Sequence, residues 1–250
     1  MEIRGKTAIV TGGASGIGRA SALALAREGA CVVVADLDAN GGRETVRLIT
    51  LAGGEATFVE SDVSTPTGIE ALFSAAEKSY GGVDIVHNNA GIMTGDTPGW
   101  PDAPLEKIFS VITVNAAGVL MGTRQAVQMM RKRGGGAVVN TASIAGLAPM
   151  PFDPIYAASK AAIILFTQSC AILKDTENVR VNAVLPGMVE TPIIAKTGDG
   201  TTPAKWLEPA LQGAKLLAPE EIAAVVLEFV RDDSLAGETR VVMHGTTAPA

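Results

Sequence analysis

Apolar positions along this chain follow two alternating patterns. Short, nearly continuous runs rich in β-branched residues occur at Thr7–Val10, Cys31–Val34, Ala56–Val59, Val83–Val86, Ala137–Asn140, Val179–Val184 and Thr239–Met243. Runs without polar alternation suit strands covered on both faces. Longer segments with helical spacing lie between them, such as Ile17–Glu28 and Thr67–Ser79. This repetition predicts an α/β fold, a doubly wound parallel sheet of seven strands with helices on both faces. No linker, repeat or low-complexity tract divides residues 1–250, so a single domain is expected. The rhythm breaks at about 188–217, where Pro192, Pro203, Pro209, Gly198 and Gly200 lie among Ile193, Ile194, Trp206 and Leu207. So long an irregular connection reads as a substrate loop or lid.

Composition narrows the class. Hydrophobic residues make up 47% and charged residues 18% of the chain, a globular balance. The net charge is -6 with no basic block, which argues against nucleic acid or an anionic membrane as partner. No apolar run approaches the roughly 20 residues that span a bilayer. The N-terminus lacks the apolar stretch of a signal peptide, so a soluble cytoplasmic protein is expected. Cys31 and Cys170 read as buried free thiols of a reducing compartment. Neither they nor His244 have neighbours at metal-ligand spacing, and no metal is assigned.

The first strand runs into Thr11-Gly12-Gly13-Ala14-Ser15-Gly16-Ile17-Gly18. Glycines at 12, 16 and 18 suit a tight turn, backbone approach to a pyrophosphate and close helix–strand packing. The following helix turns its free N–H groups toward the phosphates, with Ser15 and Ile17 in the turn. Strand, glycine turn and helix together specify a Rossmann-type dinucleotide site. Asp36 ends the second strand, where a carboxylate accepts from the adenosine ribose and repels a 2′-phosphate. No basic residue occupies positions 13–15 or follows Asp36 directly, so NAD is expected over NADP.

Tyr156 and Lys160 are spaced i, i+4 and share one face of a helix. A phenol is a poor base at neutral pH. A nearby ammonium and a cationic nicotinamide would lower its pKa, making Tyr156 the general base for alcohol oxidation or the acid for ketone reduction. Ser143 follows the fifth strand, and its hydroxyl suits the substrate oxygen. Asn88-Asn89-Ala90-Gly91, the Tyr156–Lys160 pattern and the glycine turn together resemble the short-chain dehydrogenase/reductase family, from the first strand to at least Thr191. Within that family the chain is most similar to the 15-hydroxyprostaglandin dehydrogenase-like branch, on Asp232-Asp233-Ser234-Leu235-Ala236-Gly237 and the C-terminus.

The resemblance implies an NAD-dependent oxidoreductase interconverting a secondary alcohol and a ketone. It further implies that Lys160 binds the nicotinamide ribose and that Asn115 positions a water for a proton relay to the lysine. Asp62 would meet the adenine amine, with Val63 contributing backbone; Asn89, Ala90 and Gly91 would run along the cofactor. Pro186-Gly187 would pack on the nicotinamide, and Val189 and Thr191 would hold its carboxamide. Asn88 reads as structural, and His87 as a packed, hydrogen-bonded strand histidine. Alternatives are a 3-oxoacyl thioester reductase and a non-catalytic NAD-binding regulator.

Two departures restrict the transfer. Asp153 lies where the prostaglandin-dehydrogenase branch has Gln, so that substrate is not assumed. The C-terminus, Val242-Met243-His244-Gly245-Thr246-Thr247, lacks the family's Val-Asp-Gly-Gly ending, so tetramer geometry does not transfer. The helices around Asn115 and Lys160 are apolar on more than one face, which calls for a second covering surface. A homodimer through these helices is expected, with a tetramer as the alternative. Met93, Trp100, Met150, Phe152, Met188, Ile193, Trp206 and Leu207 suggest an apolar pocket for a small apolar alcohol or ketone.

Overall fold

The structure is a computed structural model that describes residues 1–95 and 99–244, and the backbone of 246–249. Seven parallel strands stand in the order β3-β2-β1-β4-β5-β6-β7. They are β1 (Thr7–Thr11), β2 (Cys31–Asp36), β3 (Glu55–Glu60), β4 (Ile85–Asn88), β5 (Gly136–Thr141), β6 (Val179–Pro186) and β7 (Thr239–Met243). Every residue of β1, β4, β5 and β6 is buried, which is why these segments read as unbroken apolar runs. The fourth strand starts two residues later than the pattern suggests. Asp84 is occupied at the strand entrance, where its carboxylate accepts from Thr7 N (3.0 Å) and pairs with Arg133 (3.4 Å). The atypical C-terminus adds an eighth strand, β8 (Thr246–Pro249), antiparallel to β7.

Helices cover both faces. On one lie α1 (Gly16–Arg27), α2 (Ala39–Leu51) and α9 (Pro219–Arg231), whose Leu25, Ile49, Ile222, Val226 and Phe229 pack on Val10, Val34, Ile85 and Val139. On the other lie α3 (Pro66–Tyr80), α4 (Leu105–Ile112), α5 (Gly118–Met130) and α6 (Pro154–Ser169). The short α7 (Leu173–Glu177) and α8 (Glu208–Leu211) complete the set. Between α4 and α5 the chain makes a π-helical turn, Thr113–Ala117, with Asn115 buried inside it. Such local unwinding is often found at functional sites.

The stretches Leu105–Arg133 and Pro154–Glu177 are long and apolar enough to cross a membrane by length and composition, although the sequence shows no unbroken apolar run of that size. Each lays one face on the sheet, as layer helices do, through Val119 and Met130 or Ile163 and Ile164. Their outer faces leave Leu105, Phe109, Leu120 and Leu165 exposed, the uncovered apolar surface that the sequence pattern anticipates.

Residues 188–217 are less irregular than their composition suggests. A one-residue β-bridge joins Val189 to Leu217, and Glu190 N donates to Leu217 O at 2.9 Å, so both ends of the segment meet at the sheet edge. A 3-10 turn (Ala195–Thr197) and α8 lie between them. Asp232–Gly237, one source of the likeness to the prostaglandin-dehydrogenase branch, is a corner built around Arg180. The Arg180 guanidinium donates to the carbonyls of Val230 (2.8 Å) and Asp232 (3.0 Å) and pairs with Asp233 (3.0 Å). The two cysteines are half-buried rather than buried.

Candidate active site

The parallel strands all end at one edge, and the loops leaving them enclose a cleft of about 680 Å³. It runs from Asp36 at the end of β2 to Tyr156 at the start of α6. Gly12, Ser15, Gly16, Ile17, Asp36, Asp62, Val63, Asn89, Ala90 and Gly91 line one part. Ser143, Tyr156, Lys160, Pro186, Gly187, Val189 and Thr191 line the other. Of the residues picked out from the sequence, Gly18 and Asn115 lie behind this wall. A Cβ at Gly18 would stand 2.0 Å from Gly12 O, so this glycine allows α1 to pack against the turn.

The glycine turn fits an anionic dinucleotide. Ser15 at the N-cap of α1 makes no side-chain cap bond, and the first turn of α1 carries no acid. The terminal N–H groups are therefore left for phosphate oxygens. Asn89 supports the turn from behind: its Nδ2 donates to Thr11 O (3.0 Å) and Gly12 O (3.4 Å), while its Oδ1 accepts from Thr141 Oγ1 (3.2 Å). Thr11 Oγ1 in turn accepts from Asn89 N (2.9 Å) and Ala90 N (3.1 Å).

At the β2 end of the cleft, Asp36 accepts from Ala14 N and Asp38 N, both at 3.0 Å, which fixes its carboxylate at the strand end. Asp38 caps α2 through Asn40 N and Gly41 N. Arg19, a cation close to this end, is tethered elsewhere: Nε donates to Thr45 Oγ1 (2.9 Å) and Nη2 to the carbonyls of Ala14 and Gly41. A 2′-phosphate here would meet two carboxylates and an arginine already engaged. Asp62 uses one oxygen on Ser64 N (2.9 Å) and Ser64 Oγ (2.7 Å), which leaves the other open to an amine.

At the end of the cleft away from Asp36, the Ser143 hydroxyl lies near the Tyr156 phenol and favours its ionised form, and Lys160 Nζ stands 5.7 Å from the Tyr156 ring centre. The ammonium donates to Thr141 O at 2.8 Å and is only 3% exposed. Burial pulls the Lys160 pKa down to about 8. Tyr156 departs from the sequence-based expectation in the protein alone. Burial, with a smaller repulsion from Asp153, outweighs the favourable influence of the Ser143 hydroxyl and pushes the phenol up to about 12. Without a bound cation, the lysine therefore does not bring the tyrosine into the working range.

Asn115 is held by its surroundings. Its Oδ1 accepts from Ile92 N (2.8 Å), and its Nδ2 donates to Ile92 O (2.9 Å) and Ser159 Oγ (3.0 Å). It thereby clamps the loop leaving β4 onto α6. A Cβ at Gly91 would lie 3.4 Å from both Asn115 Oδ1 and Lys160 Nζ, so glycine keeps the space between them open.

Asp153, which the sequence marks as a departure from the prostaglandin-dehydrogenase pattern, has a structural task. It caps α6 by accepting from Tyr156 N (3.0 Å) and ties α6 to the β4 loop through Thr94 N (3.0 Å) and Thr94 Oγ1 (2.6 Å). Its placement sets where Tyr156 begins its helix. The roles of Thr141, Thr94 and Ser159 are not marked by any sequence motif, because each depends on contacts between distant segments.

The apolar residues divide into two groups. Met93, Met150, Met188, Ile193, Trp206 and Leu207 line the main cleft. Trp100 and Phe152 border a side pocket of about 120 Å³ next to it, where the Phe152 and Trp206 rings stack at 5.3 Å between centres.

Comparison with known proteins agrees with this arrangement. The chain is 36% identical to 3beta-hydroxysteroid dehydrogenase 1 of Eggerthella lenta, over 98% of this chain and 95% of that protein. It is 35% identical to cyclopentanol dehydrogenase of Comamonas testosteroni, over 98% of each. The crystal structure of levodione reductase superposes with a TM-score of 0.85 at 31% identity, covering 96% of this chain and 95% of that one. Residues 6–201 match the family described as short chain dehydrogenase. The chain belongs to the short-chain dehydrogenase/reductase family and is an oxidoreductase of the kind that acts on CH–OH groups.

Proposed function

We propose that the protein is an NAD-dependent dehydrogenase of apolar, cyclic secondary alcohols that also reduces the matching ketones. The observation carrying this reading is the Ser143–Tyr156–Lys160 cluster, which borders the glycine turn on one side and an apolar wall on the other. Two of the relatives act on ring alcohols by name, and an apolar wall of methionine, isoleucine and tryptophan suits such a ring. Asp36, Asp38 and the tethered Arg19 support NAD over NADP. The same feature disfavours a thioester reductase using NADPH. The cost of burying Lys160 disfavours a regulator that would have no use for it.

When bound, NAD supplies a hydride acceptor for the carbinol carbon and a positive charge beside the phenol. The residues do the rest. Ser143 Oγ donates to the substrate oxygen and orients it toward Tyr156 Oη. Tyr156, as phenolate, takes the hydroxyl proton while the C–H bond breaks; in the reverse direction it gives the proton back. Lys160 favours the phenolate electrostatically and binds the nicotinamide ribose. The gap at Gly91, within reach of Lys160 Nζ and Asn115 Oδ1, suits the water that returns protons to solvent. Pro186, Gly187, Val189 and Thr191 form the floor for the nicotinamide, and residues 188–217 act as a lid over the substrate.

The exposed apolar faces of α4, α5 and α6 cover each other in a soluble cytoplasmic homodimer. Leu105, Phe109 and Leu165 are each about two-thirds exposed in the single chain, an arrangement that a partner's identical face relieves.

Three outcomes are expected. With NAD and a panel of cyclopentanol, cyclohexanol and a 3β-hydroxysteroid, the wild type turns over at least one ring alcohol and prefers NAD to NADP. Tyr156→Phe lowers that turnover by about 100-fold or more while leaving NADH binding by fluorescence within about twofold. Equal turnover in the two proteins contradicts the mechanism. Second, the Lys160 pKa is lower folded than unfolded, so the unfolded state binds more protons between about pH 8 and 10.5. The Lys160 contribution to stability therefore rises with pH across that window. Lys160→Met should accordingly melt at or above the wild-type temperature at pH 7, with its advantage shrinking toward pH 10. Third, light scattering should return twice the chain mass of 25.6 kDa, and Leu165→Glu should reduce it to one. A wild-type monomer contradicts the dimer.

A further inference from the structure

His87 is fully buried near the centre of the sheet, paired in register with Val10 and Val139. It lies beneath the glycine turn and takes no part in the chemistry above. Its Nε2 stands 2.9 Å from Thr141 Oγ1, and its Nδ1 finds no partner among the described residues. Burial pushes its pKa down to about 3, so the ring is neutral and carries one N–H.

The neighbouring hydrogen bonds settle which nitrogen holds that proton. Asn89 must aim its NH₂ at the carbonyls of Thr11 and Gly12, so its Oδ1 faces Thr141. The Thr141 hydroxyl has one proton and gives it to that oxygen. Its remaining contact, with His87, must then be an accepted bond, which places the proton on Nε2. The orphan atom is thus an acceptor rather than a buried N–H. A directed chain results, from His87 to Thr141 to Asn89 to the backbone of the glycine turn.

Thr141 also bridges the two faces of the sheet. Its side chain shares the face of Val139, toward α1 and α9, whereas Lys160 reaches its carbonyl from α6 on the other side. We propose that His87 is a positioning residue for dinucleotide binding, its Nε2–H setting the direction of a hydrogen-bond chain that holds Asn89 against the glycine turn and Thr141 at the Lys160 anchor. A leucine would fill the same space but leave the Thr141 hydroxyl free to turn away from Asn89, whose Oδ1 would then lose its donor and whose hold on the glycine turn would loosen. The inference rests on the proposed nucleotide site.

NADH titration by fluorescence of wild type, His87→Leu, His87→Gln, Thr141→Val and the double variant His87→Leu/Thr141→Val tests it. Glutamine carries an N–H donor where His87 has Nε2, so it preserves the chain. His87→Leu and Thr141→Val should each raise the NADH Kd about three- to tenfold, the effect of one buried hydrogen bond. His87→Gln should stay within about twofold, and the double variant should be no weaker than the weaker single. Wild-type affinity in His87→Leu overturns the proposal, as does equal weakening in His87→Leu and His87→Gln, which would indicate packing alone. If His87→Leu fails to fold, Thr141→Val and His87→Gln decide: weak and tight binding respectively support the proposal, and wild-type affinity in Thr141→Val overturns it. A wild type that binds no NADH refutes the proposed function instead.

Discussion

An ammonium group buried at the end of a parallel sheet is costly, and much of this molecule is arranged around it. Lys160 is 3% exposed, its charge is met by the carbonyl of Thr141, and burial lowers its pKa to about 8. That anchor lies at Thr141, the last residue of β5. The remaining polar groups nearby are held by similar constraints. Asn115 is clamped by the backbone of Ile92, Ser159 accepts from Asn115, and Asp153 starts the helix that carries Tyr156 and Lys160. A site so arranged holds an electrostatic cost that the fold elsewhere must offset.

The fold supplies this placement without specialised devices. Parallel strands direct all their C-terminal loops to one edge, and right-handed crossovers put helices on both faces. The glycine turn after β1, the acid after β2 and the helix start at Asp153 therefore meet in one cleft, although 140 residues or so of chain separate the first from the last.

Most of the fold, and the gathering of the candidate residues in one cleft, were legible because their signals are local. Buried parallel strands announce themselves as unbroken apolar runs, and the glycine turn and the i, i+4 Tyr156–Lys160 pair each fit within one element. What could not be read from the sequence depends on contacts between distant segments. Asp153 stood out only as a departure from the prostaglandin-dehydrogenase pattern, and its bond from Tyr156 N makes it a helix cap while its bonds from Thr94 tie that helix to the β4 loop. Asn89 resembled a cofactor contact, and it also holds the glycine turn from behind. Arg19 lay outside the recognised turn, yet its tether to Thr45 engages it close to the β2 end of the cleft. The phenol of Tyr156 was expected to be lowered by its lysine and a cationic nicotinamide, but in the protein alone desolvation is the larger effect. The eighth strand came from a tail whose sequence matches no strand run of the parallel type.

The central claim is that a hydride passes between the carbinol carbon of a ring alcohol and a nicotinamide held in this cleft. Its most direct test is to oxidise cyclopentanol deuterated at the carbinol carbon with NAD and to follow the label by mass spectrometry. The account predicts one deuterium per turnover on the reduced cofactor and a ketone that has lost it. Ketone formation with the deuterium released to water would contradict it.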